Sequence, residues 1–576
     1  MNKRPNILLF MVDEQRYPTV YDGEPVREWM KTNLKAQTLL RERGVEFHRH
    51  YAQSTACAPS RTSLFTGQYP TLHGVSQTDG MGKTAWDPGM SWLDPNTVPT
   101  MGDWFRAAGY QTHYRGKWHI SHADILIPGT HNSLMTTRMN TDNEGEPIPE
   151  NVDIYRAADR LDDFGFSGWI GPEPHGANAA NSGWVRDPRY CDEAKAVIDA
   201  LENSDDKRPF LLVNSFVNPH DIVFFGLTWN LLFRFPYPDT GLLPPPPPTQ
   251  HEDLSTKPSA QASYVAQYGK MFLPQPQIEM YRRFYYSLQA RVDQYILEVY
   301  RRLEASRFFE NTIIVFTSDH GDMLGAHGGM HQKWYQAYEE TIHVPMIFSG
   351  PLVTDTPRNE YALTSHADLT PTLLGLAGVD VESAAKQLAV SHSETRHLVG
   401  RDLSAAVLGT GQVAPEPVFF ITYDNVSQGL SQVAGRRQWE AVASPNQVET
   451  VITEIDGKIW KYTVYSQNIP TPYDGLVLNK NATPKITAYT QVQPEYEMYN
   501  VTDDQTEIYN LCSSVYSTPE TQAMAAQLQA LLDEQRTLKC LQPVTAEGGT
   551  RAGGEGLIDM PLPGGDAAQP AVQPTA

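Results

Sequence analysis

The residue with the most unusual chemistry in the sequence is Cys57, which is followed by Arg61 in the run Cys-Ala-Pro-Ser-Arg. A guanidinium close to a thiol favours the thiolate, which is the nucleophilic form of cysteine. The pair alone therefore admits two interpretations, a reactive cysteine or a buried structural cysteine, and the second is the commoner. The choice depends on which other groups the fold brings to Cys57.

Acidic residues directly follow two apolar runs that read as strands. Asp13 comes after residues 7–12, and Asp319 and His320 come after residues 312–317. Hard divalent cations prefer carboxylate oxygens, and a buried carboxylate without a cation is costly. The sequence therefore predicts a site for one divalent cation at the ends of these strands.

Basic residues stand in two further motifs. Lys117 and His119 are two residues apart, so on an extended segment their side chains would point the same way. His220 follows the apolar run 210–216, and Lys333 lies in a His-Gln-Lys run. Taken alone, an exposed strand end is the simpler explanation of Lys117 and His119.

Together these motifs resemble the signatures of the type I, formylglycine-dependent sulfatases of the alkaline-phosphatase-like superfamily, arylsulfatases among them. Residues 57–61, with Leu-Phe-Thr-Gly at 64–67, resemble the sequence read by the formylglycine-generating enzyme, and residues 109–119 are similar to the second signature, which closes on Gly-Lys-Trp-His. Arg115, Glu14 and His320 depart from the commonest pattern of the family. His320 in place of Asn resembles the phosphonate monoester hydrolase and choline sulfatase branches.

The resemblance runs from about residue 6 to residue 511 and implies a set of site residues. The catalytic groups that it implies are Cys57, Arg61, Lys117, His119, His220 and Lys333. The metal ligands that it implies are Asp13, Glu14, Cys57, Asp319 and His320.

The resemblance also implies roles for these groups. The formylglycine-generating enzyme would convert Cys57 to an aldehyde, and one hydroxyl of its hydrate would attack sulfur or phosphorus while Arg61 and Lys117 hold the hydrate. His220, the expected general acid, and Lys333 would face the leaving oxygen. His119 would take the proton of the second hydroxyl and so expel the product. An unmodified serine or cysteine has no second hydroxyl group with which to release the product in this way.

The predicted activity is hydrolysis of a small-molecule sulfate ester, and the alternative is a phosphonate monoester or phosphodiester hydrolase with the same nucleophile. Activity on both ester types is compatible with one site. A two-zinc phosphatase is disfavoured because the sequence shows only one set of acidic metal ligands. A non-enzymatic binding protein is also disfavoured, because it would keep the whole charged site without using it. Oxygen ligands suit Ca²⁺ or Mg²⁺, whereas a histidine ligand favours Mn²⁺.

Apolar runs at 7–12, 210–216, 312–317 and 344–348 predict buried parallel strands, and residues 280–303 predict a helix. We therefore expect an α/β sandwich, with a large mostly parallel sheet covered by helices, over residues 1–400. Ligands of such sheets bind beyond the carboxyl ends of the strands. Alternating patterns at 418–423, 448–455 and 459–465, and a helix at 518–532, predict a smaller α+β domain with an antiparallel sheet over residues 401–545.

Residues 221–275 are predicted to be an insertion, with an aromatic stretch followed by prolines at 244–248. A surface excursion is the simpler interpretation, and an arm that covers substrate or joins a homo-oligomer is the alternative. Pocket-lining residues are expected from 70–100 and 221–275. Residues 546–576, rich in Gly, Pro and Ala, predict a disordered tail.

Composition excludes several classes of protein. The formal net charge of −22 argues against a nucleic-acid surface. No apolar run approaches the roughly 20 residues that span a bilayer, so no membrane partner is expected. The apolar run 7–12 is shorter than the roughly 7–15 residues of a signal peptide's apolar region, which predicts a cytoplasmic protein. The four cysteines are too widely spaced to suggest a disulfide framework or a zinc site.

Overall fold

The structure is a computed structural model of the 576-residue chain. It describes residues 4–80, 82–141, 145–174, 178–226, 229, 233, 235–236, 241–271, 278–427, 441–466 and 492–544. The predicted tail at 546–576 lies outside the described residues. Among the helices of the described ranges, none is both long enough and apolar enough to cross a membrane.

The strands are β1 (Asn6–Asp13), β2 (Gly44–Phe47), β3 (His50–Tyr51), β4 (Gln111–Gly116), β5 (Thr137–Met139), β6 (Gly145–Pro147), β7 (Phe210–Pro219), β8 (Thr312–Ser318), β9 (Met346–Ser349), β10 (Arg358–Glu360), β11 (Thr364–Ser365), β12 (Val418–Thr422), β13 (Gln447–Ile455), β14 (Lys458–Ser466) and β15 (Glu495–Asn500). The helices are α1 (Glu24–Asn33), α2 (Lys35–Glu42), α3 (Cys57–Thr66), α4 (Pro70–His73), α5 (Met101–Ala107), α6 (Pro149–Ala158), α7 (Gly183–Glu202), α8 (Ser259–Met271), α9 (Ile278–Glu304), α10 (Ala326–Gly329), α11 (Glu339–Ile342), α12 (Leu369–Leu376), α13 (Val381–Leu388), α14 (Ser404–Val407) and α15 (Pro519–Lys539).

The large sheet has the strand order β10-β2-β9-β8-β1-β7-β4. β1 pairs in parallel with β7 and β8, and β4 pairs in parallel with β7. The predicted mostly parallel sheet is therefore confirmed. The prediction of a parallel strand at 344–348 is wrong, because β9 runs antiparallel to both β8 and β2. Residues 319–345 join β8 to β9, and their helices α10 and α11 have only four residues each, so no long crossover helix carries the chain over the sheet before β9.

Helices cover both faces of this sheet. In β1 every side chain is buried, and successive side chains point to opposite faces. Ile7, Leu9 and Met11 pack into a core that includes residues of α3, α5 and α12. Leu8, Phe10 and Val12 pack into a core that includes residues of α2, α7 and α9. The helix predicted at 280–303 is confirmed as α9.

The predicted C-terminal antiparallel sheet is confirmed, with the order β12-β13-β14-β15. One face packs against Leu528 and Leu532 of α15. The other face packs against the segment 323–342, which carries Lys333. This sheet therefore supports one wall of the region where the predicted site residues meet, while the domain boundaries at 400 and 545 stay predictions.

The aromatic part of the insertion at 221–275 is not a surface excursion. Trp229, Phe233 and Phe235 are at most 4% exposed and pack into one core with Phe284 of α9. Burial of large aromatic side chains stabilises this stretch against the body of the protein. The simpler interpretation of this stretch is therefore wrong, because its aromatic residues pack into a core shared with α9.

Candidate active site

Helix α3 explains the spacing of the first motif. Cys57 is its first residue, and Arg61, four residues later, lies on the same face of the helix. All ten residues of α3 are buried. Gly67 ends the helix with a φ of +63°, a left-handed conformation that favours glycine. The motif therefore encodes a buried helix that begins at Cys57 and ends at Thr66.

Cys57 lies among three of the predicted metal ligands. Its Sγ is 3.6 Å from Oδ1 of Asp13 and 3.1 Å from Nε2 of His320. Nε2 of His320 is 3.8 Å from Oδ1 of Asp13 and also 3.8 Å from Oδ1 of Asp319. One ligand atom from each of these four residues lies within 4.8 Å of the others, and all four residues are buried. Two carboxylates, an imidazole and residue 57 form a donor set that suits a divalent cation.

The Cys57 thiol is held in its protonated form. Burial raises the pKa of Cys57 to about 12, and the negative charge of Asp13 adds to the effect. Lys333 and Lys117 oppose this shift but do not cancel it. Without a cation, an unmodified Cys57 in this pocket is therefore a poor nucleophile at neutral pH.

The backbone conformation at Gly116 directs the side chain of Lys117 toward Asp13. Gly116 ends β4 with a φ of +111°, and a Cβ there would lie 1.7 Å from the carbonyl oxygen of Ser215. This close approach lets Nζ of Lys117 reach to 2.5 Å from Oδ2 of Asp13, with both side chains buried. Burial is the largest single influence and would raise the pKa of Asp13, but the charges of Lys117, His220, His320 and Arg61 together hold that pKa well below its usual value.

Arg61 ties the helix to the strands around it. Its guanidinium donates to the carbonyl oxygen of Trp118 at 2.9 Å and to Oδ2 of Asp319 at 3.1 Å. It also bonds the carbonyl oxygen of Lys117 and the hydroxyls of Tyr114 and Ser215. Because the side chain is fully buried, these contacts fix the positions of Asp319 and Lys117 relative to α3.

Glu14 lies apart from the ligand atoms around His320. It groups instead with Asp13 and His220, and Nζ of Lys333 is 3.2 Å from its Oε2. Neither carboxylate oxygen of Glu14 accepts a hydrogen bond. Burial raises the pKa of Glu14 well above its usual value, although Lys333 opposes the shift. A divalent cation would add to the ion pair with Lys333 and further stabilise the charged form of this buried carboxyl.

His220 follows β7 and faces the same region. The carboxylate of Asp187 accepts hydrogen bonds from the backbone N–H groups of Val217 and Asn218, which fixes the end of the strand. Burial and the charge of Lys117 lower the pKa of His220 well below its usual value. His220 is therefore neutral at neutral pH until a negative charge binds beside it.

His119 does not lie on an extended segment, contrary to the prediction. Its φ is +59°, and the carboxylate of Glu173 holds this backbone by accepting hydrogen bonds from the N–H groups of Trp118 and His119. Nε2 of His119 lies 2.6 Å from Oδ1 of Asp79. The charge of His119 is among those that lower the pKa of His220, so the two rings share one region.

Asp79, Glu173 and Asp424 were not identified from the sequence. Asp424 follows β12, and its Oδ1 accepts hydrogen bonds from Nζ of Lys83 and the N–H of Thr78, at 3.2 Å each. Its Oδ2 accepts from the indole of Trp334 at 2.8 Å. The C-terminal region thus fixes both the loop that carries Asp79 and the segment that carries Lys333. No local motif marks these acids, since each one acts on a segment far away in the chain.

Known proteins share this sequence and architecture. The sulfatase family model matches residues 5–379. The choline-sulfatase of Rhizobium meliloti is 29% identical over 391 residues, covering 66% of this chain and 69% of the relative. The arylsulfatase of Clostridium perfringens is 25% identical over 423 residues, covering 69% of this chain and 80% of the relative.

Solved structures show the same fold. The phosphonate monoester hydrolase of Silicibacter pomeroyi superposes with a TM-score of 0.58 at 18% identity, covering 93% of this chain and 96% of the other. The predicted alkaline-phosphatase-like architecture is confirmed. With a family model that covers well over half of its length, the chain belongs to the sulfatase family of hydrolases.

Proposed function

We propose that this protein hydrolyses small-molecule sulfate esters with a formylglycine nucleophile formed from Cys57, beside one divalent cation. The observation that carries the proposal is the convergence of Asp13, Asp319 and His320 on the buried Cys57. This arrangement supports a cation beside residue 57, and the signature around Cys57 supports its conversion to formylglycine.

The described residues fit a divalent cation. Asp13, Asp319, His320 and residue 57 would hold it, and the unbonded carboxylate of Glu14 lies beside Asp13 as a fifth candidate. When bound, the cation supplies positive charge that neutralises the ester and favours ionisation of a neighbouring hydroxyl. Formylglycine supplies a hydrated aldehyde with two hydroxyls, one for attack and one for release of the product. Ca²⁺, Mn²⁺ and Mg²⁺ are the candidate ions.

The chain's own residues bind charge and move protons. Lys117 and Lys333 are buried cations that attract the anionic group of the ester, and Arg61 holds the helix that presents residue 57. His220 is neutral in the empty pocket, but a bound anion would raise its pKa and favour the protonated imidazole. Protonated His220 can then donate to the leaving oxygen. His119, two residues after Lys117 in the chain, accepts the proton whose removal releases the product.

The leaving group has a candidate surface beside His119. Ring centroids of Trp92 and His119 are 5.7 Å apart, those of Trp92 and His122 are 5.4 Å apart, and Trp86 stacks on His122 at 4.2 Å. Trp86 is 39% exposed, so this row of rings runs from His119 to solvent. A planar or ring-shaped leaving group would gain stacking contacts there, which supports an arylsulfatase-like preference.

A phosphonate monoester or phosphodiester hydrolase is the second candidate. His320, rather than an amide, stands beside Asp319, and the Silicibacter pomeroyi phosphonate monoester hydrolase shares the fold. Sulfate monoesters, phosphonate monoesters and phosphodiesters each carry one negative charge at neutral pH, so the cations of the pocket attract all three. The difference lies in the second organic substituent on phosphorus, which needs room that a sulfate oxygen does not.

The test is to co-express the chain with the formylglycine-generating enzyme and to measure both modification and turnover. Peptide mass analysis should show residue 57 lighter than cysteine, and kcat/KM should be higher for an aryl sulfate than for a phenyl phosphonate ester. Cys57→Ser should lose most turnover, whereas Cys512→Ser, a half-buried cysteine of the C-terminal region, is the matched control. A fully active enzyme with unmodified Cys57 would refute the mechanism. A large preference for the phosphonate ester would reverse the ranking of substrates.

The predicted cytoplasmic location and the predicted homo-oligomer stay predictions. The formylglycine-generating enzyme, as the proposed maturation partner, is tested by the same mass analysis.

A further inference from the structure

The carboxylate of Asp79 makes a short contact with the histidine that we propose as the base. Oδ1 of Asp79 is 2.6 Å from Nε2 of His119, and each side chain is only 6% exposed. A carboxylate at this distance accepts a hydrogen bond from an imidazole N–H. In the neutral ring, the proton is then on Nε2 and the lone pair is on Nδ1.

The placement of this proton decides what His119 can do. A base must present a bare nitrogen to the group that it deprotonates, and the hydrogen bond at the other nitrogen selects the tautomer. An ionised carboxylate also stabilises the imidazolium that forms when the ring accepts a proton, as in other paired nucleophile-and-base systems. Asp79 is placed to do both.

The loop that carries Asp79 is fixed on both sides. Lys83 closes the loop through its carbonyl oxygen, which accepts from the N–H of Gly80 at 2.8 Å. Nζ of Lys83 reaches Oδ1 of Asp424 at 3.2 Å, and both side chains are buried. The hydroxyl of Thr78 accepts from the N–H of Ala58 at 3.2 Å, which ties the loop to the start of α3. These contacts therefore fix the position of the loop that carries Asp79 relative to residue 57.

The ring of His119 is also fixed independently of Asp79. Glu173 accepts from the backbone N–H of His119 at 2.7 Å, so the backbone keeps its position when the ring contact is removed. Charged and titratable groups close to His119 include Lys117, two residues earlier in the chain, Glu173 at its backbone, and His220, whose pKa the charge of His119 lowers. Trp92 packs against the ring at 5.7 Å and carries no charge.

We propose that Asp79 is the positioning residue of His119, which keeps the proton of the neutral ring on Nε2 and presents Nδ1 as the base. This inference rests on the proposed function for its catalytic part. The placement of the proton does not depend on that function, because the contact exists in the unmodified chain.

The first experiment reads the ring directly. Histidines labelled with ¹⁵N in the unmodified protein are observed by long-range ¹H–¹⁵N spectra, and His119 is assigned with His119→Gln. Wild type should show Nε2 protonated and Nδ1 bare. Asp79→Asn should change the tautomer and lower the apparent pKa of His119 by about 1–3 units, because an opposite charge is lost. The control Asp153→Asn removes a carboxylate that is 73% exposed, on α6, and should change neither.

The second experiment reads the reaction in the modified enzyme. Asp79→Asn should lower kcat on the order of 10²-fold with little change in KM, since a general base is worth about 10²–10⁴-fold. Asp79→Glu should restore part of this loss. The proposal is wrong if His119 carries its proton on Nδ1 in wild type, if Asp79→Asn leaves the ring signals unchanged, or if kcat is unchanged. Wild-type protein with the expected ring signals but no esterase activity would refute the proposed function and support the Asp79–His119 pair.

Discussion

Replacing Arg61 by methionine should be among the most damaging single changes in this protein. The guanidinium is fully buried and bonds two carbonyl oxygens, two hydroxyls and the carboxylate of Asp319. Methionine fills much of the same volume, so the loss of polar contacts dominates the change in the free energy of unfolding. Solvent screening does not reduce this loss, because neither Arg61 nor Asp319 is exposed.

The size of the destabilisation depends on which hydrogen-bond partners of Arg61 can form other hydrogen bonds in the variant. The hydroxyl of Tyr114 already donates to the carbonyl oxygen of Lys117 at 2.6 Å, and the hydroxyl of Ser215 can rotate. The carbonyl oxygen of Trp118 and Oδ2 of Asp319 lose their Arg61 donor. Removing one partner of a buried ion pair costs about 3–5 kcal/mol. That is a large share of the roughly 5–15 kcal/mol by which native proteins are stable.

Urea unfolding of the metal-free protein measures the effect. With a slope of about 3 kcal/mol per molar urea, the midpoint of Arg61→Met should fall by about 1 M at unchanged slope. The loss should be smaller at saturating Mn²⁺ or Ca²⁺, because a cation beside Asp13 and Asp319 replaces part of the missing positive charge. Arg208→Met is the control: its side chain is 58% exposed and pairs with Asp206, so it should change stability by at most about 0.5 kcal/mol. An Arg61→Met protein within about 1 kcal/mol of wild type would refute this reasoning.

Two further predictions concern buried carboxyl groups. Glu14→Gln should weaken Mn²⁺ binding in a calorimetric titration by about 10–100-fold, because the two carboxylate oxygens of Glu14 accept no hydrogen bond and lie beside Asp13. Glu279→Gln, at the exposed start of α9, is the control. Equal Mn²⁺ affinities of wild type and Glu14→Gln would exclude Glu14 as a metal ligand. Burial raises the pKa of Asp187 to about 7. Between the ordinary pKa of an aspartate and pH 7, the folded state therefore binds more protons at this carboxyl than the unfolded state does. The contribution of Asp187 to the free energy of unfolding falls as pH rises through this range. The stability of wild type minus that of Asp187→Asn should therefore fall by roughly 2 kcal/mol from pH 5 to pH 7 in urea unfolding, and a difference that stays constant or grows would show that Asp187 does not titrate there.

Local pattern was enough to predict the three parallel strands that precede Asp13, His220 and Asp319, but not the helix α3. The run before Asp13 is apolar on both faces because helices cover both sides of β1, and the same reasoning identified β7 and β8. Parallel strands end at a common edge, so the groups that follow them had to meet. Cys57 and Arg61 are four residues apart, which is the spacing of neighbours on one face of a helix.

What local pattern could not show is set by contacts between distant segments. The direction of β9 depends on the path that residues 319–345 take from β8, and its apolar run has the same pattern in either direction. Glu173 supports the backbone of His119 from 54 residues away, and Asp424 reaches Lys83 across 341 residues. The pKa of Cys57 depends on burial and on Asp13, whereas the sequence offered only the neighbouring Arg61 as a guide.

The burial of Cys57 also limits when the proposed conversion to formylglycine can take place. Cys57 is 2% exposed in the folded chain, so the proposed modifying enzyme would have to reach it before this pocket closes. One wall closes late, because Thr422 bonds the carbonyl oxygen of Thr55, 367 residues earlier in the chain. At about 5–20 residues per second, a ribosome takes roughly 20–70 s to make that stretch. The late position of β12 in the chain thus gives the maturation of Cys57 a defined interval during synthesis.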